Sequence, residues 1–221
     1  RGSRVSGKTI RYEGENITVT YDVKRCIHAE ACVKGLNRVF DSKRRPWIVP
    51  DNDPADAVAT TIHQCPSGAL HYDRKDGGQA ESIPDHNTIR LAADGPLYVQ
   101  GDITIINGEE TLVLKDTRVA LCRCGASHNK PFCDNSHRDI HFEAASTVLN
   151  PQPQATIVAG SPLEIKTQTN GSLRFTGDFT ILDEAGAPVH QSQQEWLCRC
   201  GGSAKKPFCD STHKRNGFTA P

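Results

Sequence analysis

Residues 122–137 read CRCGASHNKPFCDNSH, and residues 198–213 read CRCGGSAKKPFCDSTH. Each stretch spaces three cysteines and a closing histidine as C-x-C-x8-C-x3-H. The first set is Cys122, Cys124, Cys133 and His137; the second is Cys198, Cys200, Cys209 and His213. Thiolates with imidazole form a soft donor set, suited to zinc, copper(I) or iron–sulfur clusters. Zinc fingers usually pair their ligands as C-x2–4-C, so that one knuckle offers both sulfurs to one ion. Here a single residue separates the pair. On an extended segment Arg123 points away and both sulfurs face the same side. That suits neighbouring ligands on a cluster iron about as well as a single zinc. Cys26, Cys32 and Cys65 lie upstream, so the nine cysteines divide into three sets of three with none left over. An odd count, with no apolar leader after the basic start RGSRVSGK, argues for metal rather than a disulfide framework.

The elements that must position these residues repeat. At a constant offset of 76, residues 97–142 and 173–218 match without gaps at 19 of 46 positions, which makes them two copies of one unit. Two copies are too few for a solenoid and suit a pseudo-two-fold pair, packed as subunits pack in a dimer. Around each copy the pattern is β. PLYVQGDITII and TLVLKD read as strands either side of a turn at NGEE, and LRFTGDFTIL and VHQSQQEWL as strands either side of DEAGAP. DNSH and DSTH read as helix starts with Asp134 and Asp210 as N-caps, placing His137 and His213 in a first turn. Upstream, KTIRYEGENITVTYD reads as a hairpin, AEACVKGLN and PADAVATTIHQC as short helices, and RPWIV and ALHYD as strands. The domains expected are 8–72, then a polar linker at 73–87, then repeats at 88–149 and 164–221, the latter two separated by NPQPQATIVAGSPL. The fold class expected is α+β.

Composition narrows the function. Lys+Arg 26 balances Asp+Glu 26, so no global charge recruits nucleic acid or an anionic membrane. Mean hydropathy is −0.52, and aliphatic stretches such as LVL are too short to span a bilayer. No nucleophile motif, phosphate loop or dinucleotide fingerprint is present, so the chain does not read as an enzyme. The sequence suggests a cytoplasmic protein and a monomer. KRRP and HKR read as plain surface, and His86, His128, His141 and His190 as solvated side chains.

The two sixteen-residue stretches resemble the CDGSH iron–sulfur (mitoNEET-like) family, whose motif is C-x-C-x2-S/T-x3-P-x-C-D-x-S/T-H. Both copies satisfy every fixed position: Cys122, Cys124, Ser127, Pro131, Cys133, Asp134, Ser136 and His137, and Cys198, Cys200, Ser203, Pro207, Cys209, Asp210, Thr212 and His213. The resemblance implies a 2Fe-2S cluster in each copy, held by three Cys and one His. It also implies that the second copy supplies the partner of a family homodimer. Ser127 and Ser203 are placed to donate hydrogen bonds to bridging sulfides. The family's usual Gly after the Asp is Asn135 in one copy and Ser211 in the other; a left-handed backbone there would strain the serine. One imidazole in place of a thiolate lowers the negative charge and so raises the reduction potential. It also makes retention of iron sensitive to pH.

Residues 21–72 resemble the divergent monocluster ferredoxin domain. Ala29 stands where a ferredoxin run would carry its middle cysteine. Cys26, Cys32 and Cys65 then imply a 3Fe-4S cluster, or a 4Fe-4S cluster with His28, His63, water or a small anion as fourth ligand. Three buried structural cysteines without metal is the plainer alternative. Trp47 reads as a packing residue. Three functions remain open. The first is electron transfer with a redox partner protein. The second is cluster transfer to an apo iron–sulfur acceptor, or redox or pH sensing. The third is a structural zinc scaffold.

Overall fold

The computed structural model describes residues 8–148 and 157–221. Residues 150–156 of the expected separator between the repeats lie outside that range, as does residue 149, the last of the first expected repeat. The chain divides into two compact units, one ending at Ser82 and the other beginning at Ile83.

In the first unit, β1 (Thr9–Glu13) and β2 (Ile17–Asp22) form the expected hairpin, and β3 (Leu70–Arg74) pairs antiparallel with β2. Alternation puts Ile17, Val19 and Tyr21 on one face. There they pack with Phe40, Ile48, Val58 and Ile62 in one core. Two short helices, α1 (Ala31–Gly35) and α2 (Ala55–His63), follow the sequence reading. The strand expected at RPWIV is reduced to one bridge, Phe40 to Ile48. Pro46 and Pro50 bracket that segment and have no N–H to extend a ladder. Trp47 packs edge-on against Tyr21, ring centroids 4.9 Å apart.

The second unit is mostly β. Repeat 1 contributes β4 (Thr88–Leu91), β5 (Leu97–Ile106) and β6 (Leu112–Leu121); repeat 2 contributes β7 (Leu163–Thr167), β8 (Leu173–Leu182) and β9 (Pro188–Leu197). Within each repeat the three strands pair antiparallel in chain order. Across the repeats, β4 runs parallel to β8 and β5 parallel to β7. The cross pairings are reciprocal: Ile89 faces Ile181, and Ile165, 76 residues after Ile89, faces Ile105, 76 residues before Ile181. Strands β4, β5, β7 and β8 thus close on one another, with β6 and β9 outside them. Ile89, Val99, Ile105, Ile165, Phe175 and Ile181, all fully buried, fill the shared core. Strands β4 and β7 escaped the sequence reading because four or five residues carry too short an alternation to stand out.

Candidate metal centres

Each repeat builds its site where its last strand ends. β6 leads into Cys122 and β9 into Cys198. A later segment then folds back: Cys122 N–H donates to Pro131 O (2.8 Å) and Cys133 N–H to Ala120 O (2.9 Å). The second repeat does the same through Cys198 to Pro207 (2.7 Å) and Cys209 to Trp196 (2.8 Å). This return brings the third cysteine beside the first two.

The donors stand in pairs. Cys122 Sγ and Cys124 Sγ are 3.8 Å apart, and Cys133 Sγ and His137 Nδ1 are 3.6 Å apart. In the second repeat Cys198 and Cys200 are 3.8 Å apart, and Cys209 and His213 Nδ1 3.5 Å. On one tetrahedral ion, two sulfurs stand about 3.8 Å apart, and a sulfur and an imidazole nitrogen about 3.6 Å. Each pair therefore fits one ion. Among the described residues no three His, Cys, Asp or Glu side chains gather at one point.

Hydrogen-bond donors aim at the sulfurs, while burial opposes their charge. Within the Cys122–Cys124 pair, a hydrogen bond from Cys124 draws Cys122 down to about 6 against its burial, while Cys124 is pushed well up by its neighbour. The pair shares one proton that a metal ion would displace. Backbone amides of Ser127, Gly125 and Cys124 point at Cys122, and those of Ser203 and Gly201 at Cys198. Asn135 and Ser211 amides donate to Cys133 and Cys209, each at 3.4 Å. Burial pushes Cys133 and Cys198 up to about 11. Burial, then Arg138 and Lys214 respectively, hold His137 and His213 below the usual imidazole range, which keeps a nitrogen lone pair free to ligate.

The serine hydroxyls differ from expectation. Ser127 Oγ donates to Phe132 O, and Ser203 Oγ to Phe208 O, both at 2.7 Å. Each hydroxyl has one proton, spent inside the loop. Hydrogen bonding toward the site comes from the serine amides, not from the hydroxyls that the sequence suggested. The caps also shift by one residue. Asn135 (φ 73°) and Ser211 (φ 68°) precede the short helical turns, α3 (Ser136–Asp139) and residues Thr212–Lys214, in left-handed backbone. Asp134 and Asp210 brace that turn from one residue earlier, accepting the Ser136 and Thr212 amides at 3.0 Å. Against burial, bonds from Ser136 and the His128 amide hold Asp134 at about 2.

The two sites approach each other. Cys124 and Cys200 form a backbone bridge. A Cβ on Gly125 (φ 82°) would stand 2.6 Å from Cys200 O, and one on Gly201 (φ 76°) 2.4 Å from Cys124 O, so only glycine fits either place. Exposure is uneven: Cys122, Cys124 and Cys133 are all buried, whereas Cys200 and Cys209 are half-buried.

In the first unit, Cys26, Cys32 and Cys65 line one cavity of about 560 Å³, together with Tyr21, His28 and Ala29. Burial, then the adjacent Cys65, pushes the Cys32 thiol up to about 11. Cys65 Sγ lies 3.7 Å from Ser67 Oγ, and the Tyr21 hydroxyl hydrogen-bonds Cys26. Three sulfurs around one open space fit a cluster. Of the two histidines considered as fourth ligands, His28 lines the cavity. His63 instead faces Tyr72, Nε2 to hydroxyl 3.1 Å. His190 is buried, not solvated: it bonds Glu195 (3.0 Å) and lies edge-on to Phe208, and no periodicity set it apart from its polar neighbours.

Residues 12–75 match the family described as divergent 4Fe-4S mono-cluster, and residues 94–138 and 170–214 each match the iron-binding zinc finger CDGSH type. The uncharacterized protein YjdI of Escherichia coli (strain K12) is 44% identical over 64 residues, 29% of this chain and 84% of YjdI, and its counterpart in E. coli O157:H7 matches equally. No solved structure matches. No helix among the described residues is long and apolar enough to cross a membrane.

Proposed function

This chain belongs to the divergent 4Fe-4S mono-cluster family, joined to two CDGSH-type iron-binding repeats, and is an iron–sulfur protein; from that premise we propose that it is an electron carrier rather than an enzyme. Cys122, Cys124, Cys133 and His137 would hold one 2Fe-2S cluster, and Cys198, Cys200, Cys209 and His213 a second. Cys26, Cys32 and Cys65 would hold a 3Fe-4S cluster, or a 4Fe-4S cluster completed by His28. Such groups, when bound, supply one-electron redox centres whose potentials follow ligand charge, hydrogen bonding to sulfur and exposure.

The observation that carries this reading is that the donors stand in pairs at both sites, with no three of them grouped to hold a single ion among the described residues. A structural zinc would draw all four donors to one point, so that spacing speaks against the zinc scaffold. The chain's own residues prepare for charge at sulfur. Amides aim at the sulfurs, burial excludes water from the cysteines of the first site, and Asp134 and Asp210 hold the turns that present the histidines. The Cys124–Cys200 bridge sets the two sites side by side, which favours passing electrons between them. The reciprocal strand exchange supports reading the repeats as an internal pseudo-two-fold dimer, and hence the chain as a monomer that docks a redox partner protein.

A second reading, donation of a cluster to an apo-acceptor, is favoured by the half-buried Cys200 and Cys209. Anaerobic reduction, reoxidation and mixing with an apo-ferredoxin separate the two. Electron transfer predicts reversible reduction without loss of sulfide. Rapid, complete transfer of the second-repeat cluster would favour donation.

A further inference from the structure

The middle residues of the two C-R-C stretches, Arg123 and Arg199, are only 1% exposed, the largest fully buried side chains among the described residues. Their hydrogen bonds all go to main-chain oxygens. Arg123 donates through Nε to Gly95 O (3.0 Å), through Nη1 to Ala145 O (3.1 Å) and through Nη2 to Ala92 O and Ala144 O. Arg199 repeats the pattern with Gly171 O (3.1 Å), Pro221 O (3.1 Å) and Gln168 O (2.6 Å). Arg123 forms no ion pair with a carboxylate side chain among the described residues. A buried cation is costly unless negative charge lies nearby. Burial lowers each guanidinium only to about 10, so both stay charged at neutral pH. In the antiparallel Cys124–Cys200 bridge Arg123 stands opposite Gly201 and Arg199 opposite Gly125, the glycines whose amides point at Cys198 and Cys122. In each case the arginine is set against the other repeat's ligand loop.

Aromatic contacts cross in the same way. Arg123 lies 5.7 Å from the Phe142 ring centroid, and Lys206 of repeat 2 lies 5.8 Å from that same ring. Arg199 lies 5.4 Å from Phe218, which Lys130 of repeat 1 approaches at 5.8 Å. Both lysines are tied to their own loops, Lys130 to Ser127 O (2.6 Å) and Lys206 to Ser203 O (2.9 Å).

We propose that Arg123 and Arg199 are cross-repeat positioning residues: each guanidinium, locked by main-chain oxygens beside the Cys124–Cys200 bridge, sets the reduction potential of the site in the opposite repeat. The inference rests on the 2Fe-2S reading of both sites. Adding an electron to a site adds one negative charge, and a fixed cation in a dry interior favours that state.

The test uses the full chain. His137→Cys tags the first site with four thiolates and separates its reduction wave from that of the second. In that background Arg199→Gln lowers the tagged wave, and Arg123→Gln lowers the untagged one. Each shift is about tenfold in the reduction equilibrium constant, or about 59 mV for a one-electron couple. Arg→Lys at either position, which keeps the charge but not the fork, returns the wave toward its parental position. Should Arg199→Gln fail to load, ligation at Cys198 can install citrulline at 199, a neutral near-isostere that preserves most of the packing. Unmoved waves in loaded variants, a shift confined to the same repeat, or Lys variants that fall as far as Gln would overturn the proposal. Absence of acid-labile sulfide in the parent protein would instead remove the cluster reading beneath it.

Discussion

A single imidazole distinguishes these donor sets from four-thiolate sites, and its geometry states its role: Nδ1 of His137 and of His213 stands from the third sulfur at the spacing of two ligands on one ion. His137→Cys or His213→Cys adds one negative charge to its site. The expected result is a more negative potential for that site alone, by on the order of 100 mV, read by spectroelectrochemistry. Strain is the second matter at this scale. Ser211 holds φ 68° without the tolerance of asparagine, at a cost of roughly 1–2 kcal/mol. Ser211→Gly should stabilise the second repeat by about 1 kcal/mol, once glycine's extra unfolded-state freedom is subtracted, and denaturant titration measures it. Asn135→Gly should give less. These positions were visible in the sequence because the ligands and the Asp sit at fixed spacings. The direction of the Ser127 hydroxyl was not visible, since a serine's partner depends on how the loop closes. His190 was missed for a related reason: its burial comes from β9 packing on Phe208, a tertiary contact that polar neighbours in the sequence conceal.

Elements decide how the sites meet. The glycines after the second cysteine let two loops cross with main chain against main chain. Gly201→Ala places a methyl 2.4 Å from Cys124 O in left-handed backbone. The expected loss is about 2–4 kcal/mol, and because the obstruction falls on the other repeat's loop, both sites should lose metal together. Metal content resolved by repeat, using tagged variants, checks this. Unequal cover makes a further difference. A chelator should bleach the visible spectrum in two phases, the faster belonging to the second site, where Cys200 and Cys209 are half-buried. In the first unit, His28→Ala tests the histidine-ligated 4Fe-4S site. A 4Fe-4S site that uses His28 loses its fourth ligand and changes its spectrum, whereas a 3Fe-4S site, or a 4Fe-4S site completed by water or a small anion, does not. The long hairpins β5–β6 and β8–β9 were legible from alternation and turn residues. Strands β4 and β7, which join the repeats, were not, because their identity lies in cross-repeat partners rather than in local pattern.

At the scale of the molecule, repetition has become mutual dependence. Each repeat lends a short strand to the other, their core is common, and their buried arginines lie beside the junction. The 76-residue offset made two copies evident, but only the pairing of β4 with β8 and of β5 with β7 shows that neither copy closes its sheet alone. On the reading proposed above, this architecture houses iron–sulfur clusters in three places. Iron, zinc and acid-labile sulfide per chain, measured on anaerobically purified protein, test it most directly. Two 2Fe-2S clusters with a 3Fe-4S or 4Fe-4S cluster require about eight sulfides and about seven or eight irons. About four of each would leave the Cys26–Cys32–Cys65 cavity without a cluster. Zinc without sulfide would contradict the account at every site.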